Sequence, residues 1–213
     1  MIVKKLPFNP FPVNTYVIYD EVSKECAVID PGCYWPEERQ ELKSFIVGND
    51  LKVKHLLMTH LHLDHVLAAP FVAKTFNVPF EANKKDEFQL NDADRKAAQY
   101  GFSLPEKMIP VEKDLKEGDR IRLGEQELIV IEVPGHSPGS VAFYDPQGKQ
   151  VIVGDALFLG SIGRTDLPGG EYDTLIDSIR TKLFTLPEET KVLSGHGPDT
   201  NIGYERKNNP FLK

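Results

Sequence analysis

Residues 59–65 read THLHLDH, so three of the chain's six histidines and an aspartate fall within one short stretch. They follow directly on the apolar run 53–58 (VKHLLM), which reads as a β-strand. Side chains alternate in an extended segment. His60 and His62 therefore project to one side with Asp64 next in that register, while His65 opens the following element and reaches the same space from another direction. Two imidazoles at this spacing on one strand end are a common grip for zinc and, taken alone, a moderate signal. The plainer reading is a helix start with polar decoration, in which Asp64 merely caps the helix. A choice between them depends on what the rest of the chain places at comparable positions.

Three further residues of ligand type occur where an apolar strand runs into glycine-rich turn chemistry. His136 lies in VPGHSPGS after LIVIEV, Asp155 ends VIVGD, and His196 lies in VLSGHGP after KVL. Each alone is an ordinary turn residue, but all occupy matching strand ends, where rigid scaffolds hold functional groups. Five histidines and two carboxylates suffice for two metal ions. Three histidines and a bridging aspartate would hold one, and two histidines and two aspartates the other. His55, inside VKHLLM and without a flanking turn, is expected to be structural. Asp30, in the Asp-Pro-Gly turn, is expected to shape that turn or to support a ligand histidine from behind.

The remaining pattern defines the scaffold. Residues 2–6, 13–19 and 26–29 read as strands separated by turns, and Pro36 suits the first turn of a helix whose apolar face is Leu42, Phe45 and Ile46. HVLAAPFVAKTF is helical, with Pro70 marking a kink or a late start, and residues 84–100 form a polar helical excursion. Strands return from Gly118 onward. Residues 171–186 spell a helix with Leu175, Ile176, Ile179 and Leu183 on one face, and KVLSG is a last strand. Strands followed by helices thus occur twice, with no repeat or linker between. This predicts two packed sheets with helices outside, in one domain over residues 1–213.

Composition narrows the partners. With 40% hydrophobic and 27% charged residues among 213, the chain has the makings of an ordinary folded core. Its net charge of −7 disfavours nucleic acid or an anionic membrane as partner. The N-terminal stretch lacks the apolar run of a secretory signal, and no segment approaches the ~18 apolar residues of a membrane span. Two cysteines, Cys26 and Cys33, fit a reduced, cytoplasmic protein.

On HLHLDH followed by a single histidine, an aspartate and a final histidine, the chain resembles the metallo-β-lactamase superfamily. The resemblance implies a four-layer αββα sandwich of two mixed sheets with helices outside. It also implies a ligand assignment: His60, His62 and His136 at one metal, Asp64, His65 and His196 at the other, and Asp155 bridging. Asp64 and Asp155 are then the carboxylates taking part in catalysis. The ions would be divalent, zinc first, with iron and manganese also suited to imidazole and carboxylate.

Two such ions make hydroxide available near neutral pH and polarise a carbonyl, and a thioester is the easiest acyl substrate because a thiolate (pKa ~8.5) leaves without full protonation. The segment DALFLGSIGRTDLPGGEYDTL and the ending ERKNNPFL resemble the short bacterial form of glyoxalase II-type hydroxyacylglutathione hydrolases. That resemblance points to a small-molecule thioester such as S-lactoylglutathione. Arg164 stands where longer forms carry a glutathione-contacting lysine, Asp166 replaces a tyrosine, and Arg206 and Lys207 are candidates for the missing basic C-terminal contacts. The ordinary role for Arg164 is a loop arginine paired with Asp166. Rival readings are a persulfide dioxygenase with one iron on His60, His136 and Asp155, and a lactonase. A β-lactamase, an RNA-processing nuclease and a catalytically silent metal binder are disfavoured by Asp155, the acidic surface and the complete ligand set respectively.

Overall fold

The computed structural model describes all of residues 1–213. The first half contains β1 (Ile2–Phe8), β2 (Val13–Tyr19), β3 (Glu25–Ile29), α1 (Pro36–Gly48), β4 (Lys52–Leu57), α2 (Leu63–Val66), α3 (Ala69–Phe76), β5 (Phe80–Ala82), α4 (Ala93–Gln99) and β6 (Lys113–Asp114). Its strands form one sheet in chain order, antiparallel from β1 to β3 and parallel from β3 to β6. The second half contains β7 (Arg120–Leu123), β8 (Gln126–Glu132), β9 (Val141–Asp145), β10 (Gln150–Gly154), the hairpin β11 (Leu157–Phe158) and β12 (Ser161–Ile162), α5 (Tyr172–Thr181), β13 (Lys191–Ser194), β14 (Thr200–Asn201) and α6 (Ile202–Asn208). Its main sheet runs in the order β14-β13-β10-β9-β8-β7.

The period-two alternation of the strands builds four layers. In β2, Tyr16 and Ile18 face the other sheet while Val17 faces outward; in β10, Ile152 faces inward while Val151 and Val153 face outward. Tyr16, Ile18, Ala27, Ile29 and Leu57 of the first sheet pack on Leu128, Val130, Phe143, Ile152 and Leu193 of the second. Leu42 and Ile46 of α1 and Val72 of α3 cover the outer face of the first sheet, and Leu175 and Ile179 of α5 with Ile202 of α6 cover that of the second. Both faces of the central strands are buried, which explains their near-continuous apolar character. The result is the αββα sandwich that the resemblance implied.

Three elements differ from the pattern expected of the sequence. Pro70 lies in the first turn of α3, which starts after a break following Val66; a proline needs no amide partner there. The excursion over 84–100 is a 3₁₀ segment (Lys84–Leu90) followed by α4, divided at Asp92, whose backbone is left-handed (φ 56°). The helix over 171–186 ends at Thr181 and tightens into a 3₁₀ turn at Leu183–Thr185, which still buries Leu183. Cys26 and Cys33 are buried and unpaired, and no helix is long and apolar enough to cross a membrane.

Candidate metal centre

Because β8 and β10 are both antiparallel to β9, and β10 is parallel to β13, the strands preceding His136, Asp155 and His196 all end at the same edge of the second sheet. The end of β4 and the start of β2 meet that edge: Val141 N donates to Thr59 O (2.8 Å), and Asn14 N donates to Gly195 O (2.7 Å). Leu61 is buried between the histidines that flank it, pinning the loop while His60 and His62 turn towards the second sheet. The expected register continues only to His62, which is extended (φ −66°, ψ 147°). Helix α2 then begins at Leu63, so Asp64 and His65 enter the site as successive residues of a helical turn. Gly195 has to be glycine: a Cβ there would collide with the Asp155 carboxylate and approach His65 Cε1 to 2.8 Å.

The seven candidate ligands converge as two adjoining clusters. In the first, one ring nitrogen each of His60, His62 and His136 lie within 4.8 Å of one another. His62 Nδ1 stands 2.8 Å from His136 Nε2, which stands 3.3 Å from His60 Nε2. In the second, Asp64, His65 and His196 meet the same limit. Asp155 lies between them: Oδ1 is 3.5 Å from His65 Nε2, and Oδ2 is 3.7 Å from His136 Nε2 and 3.5 Å from His196 Nε2. His55 is elsewhere, bonded to Glu81 (2.7 Å) in a structural role.

The chemistry of this donor set calls for cations. His136 donates from Nδ1 to the Arg164 carbonyl oxygen (2.7 Å), since a carbonyl only accepts; in the neutral ring Nε2 then carries the lone pair. Thr59 Oγ1 donates to Asp30 Oδ2 (2.6 Å) and so accepts from His60 Nδ1 (3.0 Å), which leaves His60 Nε2 unprotonated too. With both rings neutral, two lone pairs face each other at 3.3 Å. His65 donates from Nδ1 to Asp30 Oδ2 (3.0 Å) and turns its Nε2 towards the carboxylates of Asp64 and Asp155. His62 Nε2, His65 Nε2 and Asp155 Oδ1 are buried without any hydrogen-bond partner, a cost that a metal ion at each cluster would remove.

Electrostatically the clusters differ. Burial, reinforced by neighbouring imidazoles, holds the pKa of His60 far below the usual histidine range and that of His62 down to about 3, so both rings are neutral. At the second cluster burial acts in the same direction but is outweighed. Asp155 and Asp64 hold His65 well above the ordinary value and His196 up to about 9. Conversely, burial would raise the Asp155 carboxyl, yet His65 and His196 keep it well below the carboxylate range.

Two supporting carboxylates stand behind these residues. Asp30, in a left-handed conformation (φ 49°) that costs about 1 kcal/mol or more in a residue with a Cβ, accepts from Thr59 N (2.7 Å), Thr59 Oγ1 and His65 Nδ1. Asp86, one acid within the polar segment 84–100, is fully buried and accepts from Leu61 N (3.2 Å), Ser137 Oγ (2.5 Å) and Gly139 N (2.6 Å). It ties the loop carrying His60 and His62 to the loop carrying His136. Burial raises its pKa while the three donors oppose the rise.

The clusters open into a cleft of about 510 Å³, lined among others by His62, Asp64, His136, Asp155, His196 and Arg164. Arg164 binds both Asp166 oxygens (2.7 Å each), the loop pairing open to it in the sequence. Arg206 and Lys207 do not reach the cleft. Helix α6 carries them onto the outer layer, where Glu188 pairs with both (3.4 and 2.9 Å) and Arg206 also donates to Phe184 O.

The chain as a whole is similar to known proteins. The model of the metallo-beta-lactamase superfamily matches residues 8–196. The hydroxyacylglutathione hydrolase GloC of Haemophilus influenzae is 38% identical over 213 residues, covering 100% of this chain and 98% of that protein. The crystal structure of BLEG-1 B3 metallo-beta-lactamase matches with a TM-score of 0.90 at 36% identity over 100% of both chains. That of TTHA1623 in a di-iron-bound form matches at 0.85 and 39%, over 98% of this chain and 100% of the other.

Proposed function

The chain belongs to the metallo-β-lactamase superfamily, and from that premise we propose that it is a dinuclear metal-dependent hydrolase of glutathione thioesters, of the hydroxyacylglutathione hydrolase (glyoxalase II) type. The observation that carries this reading is Asp155 lying between two donor clusters that are unsatisfied as they stand. His60, His62 and His136 would hold one ion and Asp64, His65 and His196 the other, with Asp155 shared. When bound, the ions supply a nucleophile derived from water near neutral pH and neutralise charge developing at the carbonyl oxygen.

The residues of the chain add selectivity. Asp64 and Asp155 are the only carboxylates lining the cleft, and Asp155 is held ionised. No spare acid therefore protonates a poor leaving group, which favours a thiolate over an amine. The arginine carbonyl accepts from His136 Nδ1 and so orients that ring, and the Arg164 side chain lines the cleft with its charge matched by Asp166. The Haemophilus relative, named for hydroxyacylglutathione hydrolysis, supports glutathione as the carrier. Zinc is the first choice of metal; the di-iron form of a similar structure keeps iron in view. The whole machinery belongs to one domain over residues 1–213, and two unpaired, buried cysteines favour a reducing, cytoplasmic setting.

Elemental analysis of the protein as isolated, together with a hydrolysis assay on S-lactoylglutathione, tests the proposal. Two metal ions per chain and release of glutathione are expected. One iron per chain with oxygen uptake on glutathione persulfide would overturn it in favour of a dioxygenase, and turnover of lactones without thioesters would move it to a lactonase.

A further inference from the structure

Helix α4 and the loop following β12 contribute to the cleft wall outside the donor clusters, together with Phe11, Gln89, Tyr100 and Phe102, and two cations line it, Lys96 and Arg164. Their charges are in different states. Arg164 is matched by the bidentate Asp166. Lys96 takes part in none of the ion pairs of the molecule, and its neighbours Asp92 and Arg95 are paired with each other (3.0 Å). The Lys96 ammonium donates only to neutral acceptors, the Gln89 backbone oxygen (2.6 Å) and Gln89 Oε1 (3.3 Å). Gln89 is itself buried and braced by donating from Nε2 to Pro168 O (3.1 Å). An ammonium has three donors, so one remains for a ligand, on an amine whose direction is set by a buried side chain.

A half-buried cation with neutral partners is left short of compensating charge, and its burial pulls the Lys96 pKa below the usual lysine value while Asp92 acts the other way. The deficit disappears when an anion enters the cleft, where no other carboxylate competes beyond the two at the donor clusters. Building on the thioesterase reading above, we infer that Lys96 is a specificity-determining residue that binds a carboxylate of the thiol carrier, selecting anionic carriers such as glutathione over neutral ones. The braced Gln89 holds the ammonium for this contact, and the loop from Arg164 to Pro168 closes the same wall.

The test compares S-methylglutathione, which lacks a hydrolysable bond, with its diethyl ester, in which both carboxylates are masked. Binding of each to the metal-loaded protein is measured by calorimetry for the unaltered chain, Lys96→Met and Lys96→Arg. Lys96→Met is expected to weaken S-methylglutathione by about tenfold and the diester by less than about twofold, with Lys96→Arg retaining most of the preference. In turnover of S-lactoylglutathione the same variant should raise KM and leave kcat within about twofold, since the contact lies away from the reacting carbonyl. Equal weakening of both ligands, no weakening of either, or failure of the unaltered protein to bind S-methylglutathione would overturn the assignment of Lys96. If the unaltered enzyme hydrolyses no thioester while the Lys96-dependent preference persists, the thioesterase reading fails and the role of Lys96 stands.

Discussion

The first sheet supplies four candidate ligands, His60, His62, Asp64 and His65, from one loop and the helical turn after it, whereas the second supplies His136, Asp155 and His196 from the ends of three strands. The contiguous group has its internal spacing set by a few backbone dihedrals. The dispersed group has no local constraint at all and is assembled only because β8, β10 and β13 point the same way. The contrast extends to charge. The first cluster is three imidazoles, of which burial lowers the pKa of His60 and His62; the second contains carboxylates that raise the pKa of His65 and His196 against the effect of burial. A donor set divided in this way gives two unlike halves that meet at one shared residue.

Asp155 is that residue, and removing it should have the largest effect. Asp155→Ala is expected to lower thioester hydrolysis by about 10³-fold or more and to reduce bound metal. Near-normal hydrolysis by this variant would show that the two clusters do not depend on a common carboxylate.

Asp86 tests whether the contiguous and dispersed groups are held together from behind. Asp86→Ala leaves the donors of Leu61, Ser137 and Gly139 without their acceptor in a buried space. A loss of about 3 kcal/mol is expected, read as a fall in Tm of roughly 10 °C, with weaker metal retention by the first cluster than by the second. Asp86→Asn keeps an acceptor and should lose less; equal losses for the two variants would point to volume, not hydrogen bonding, as the cause.

The smallest effect concerns the outer seam between the halves. Asp199 receives Lys5 of the first sheet (2.6 Å) and Lys191 of the second (2.7 Å). Burial opposes ionisation of its carboxyl, but the two lysines hold its pKa below the ordinary value. Such a group contributes stability that is complete above its unfolded pKa of about 3.9 and is lost as pH falls through the lower native value. With both lysines partly exposed, the contribution is under about 1 kcal/mol. Denaturant midpoints for the unaltered chain and Asp199→Asn should therefore differ at neutral pH and converge in strong acid; a gap that persists in acid would remove the ion pairs as its source.

Legibility in the sequence followed the range of the forces involved. Val13–Tyr19 was recognisable to the residue because both its faces are apolar and turn residues bound it. Two-residue strands such as β6, β11 and β14 carry no pattern of their own and exist only as partners of longer neighbours. His55 was separable from the cluster because it lies within β4, and the structure gives it Glu81 as a partner. Asp86 was not separable: within KKDEFQL it is one acid among several charges, and its role arises from loops far along the chain. Arg206 and Lys207 had the right charge in the wrong place, since the docking of Ile202 in the core turns their helix towards Glu188.

By itself, the sequence determined the alternation that makes two sheets and the positions at which ligand-type residues leave those sheets. Both follow from side-chain direction in an extended chain, which holds as far as His62, before α2 begins at Leu63. Only the tertiary structure decided which strand ends meet, which ring nitrogen of each histidine faces the cleft, and which of the basic residues reaches it. Those outcomes depend on hydrogen bonds accepted by Thr59, Asp30, the Arg164 carbonyl and Gln89, partners that packing brings together and that no local pattern encodes.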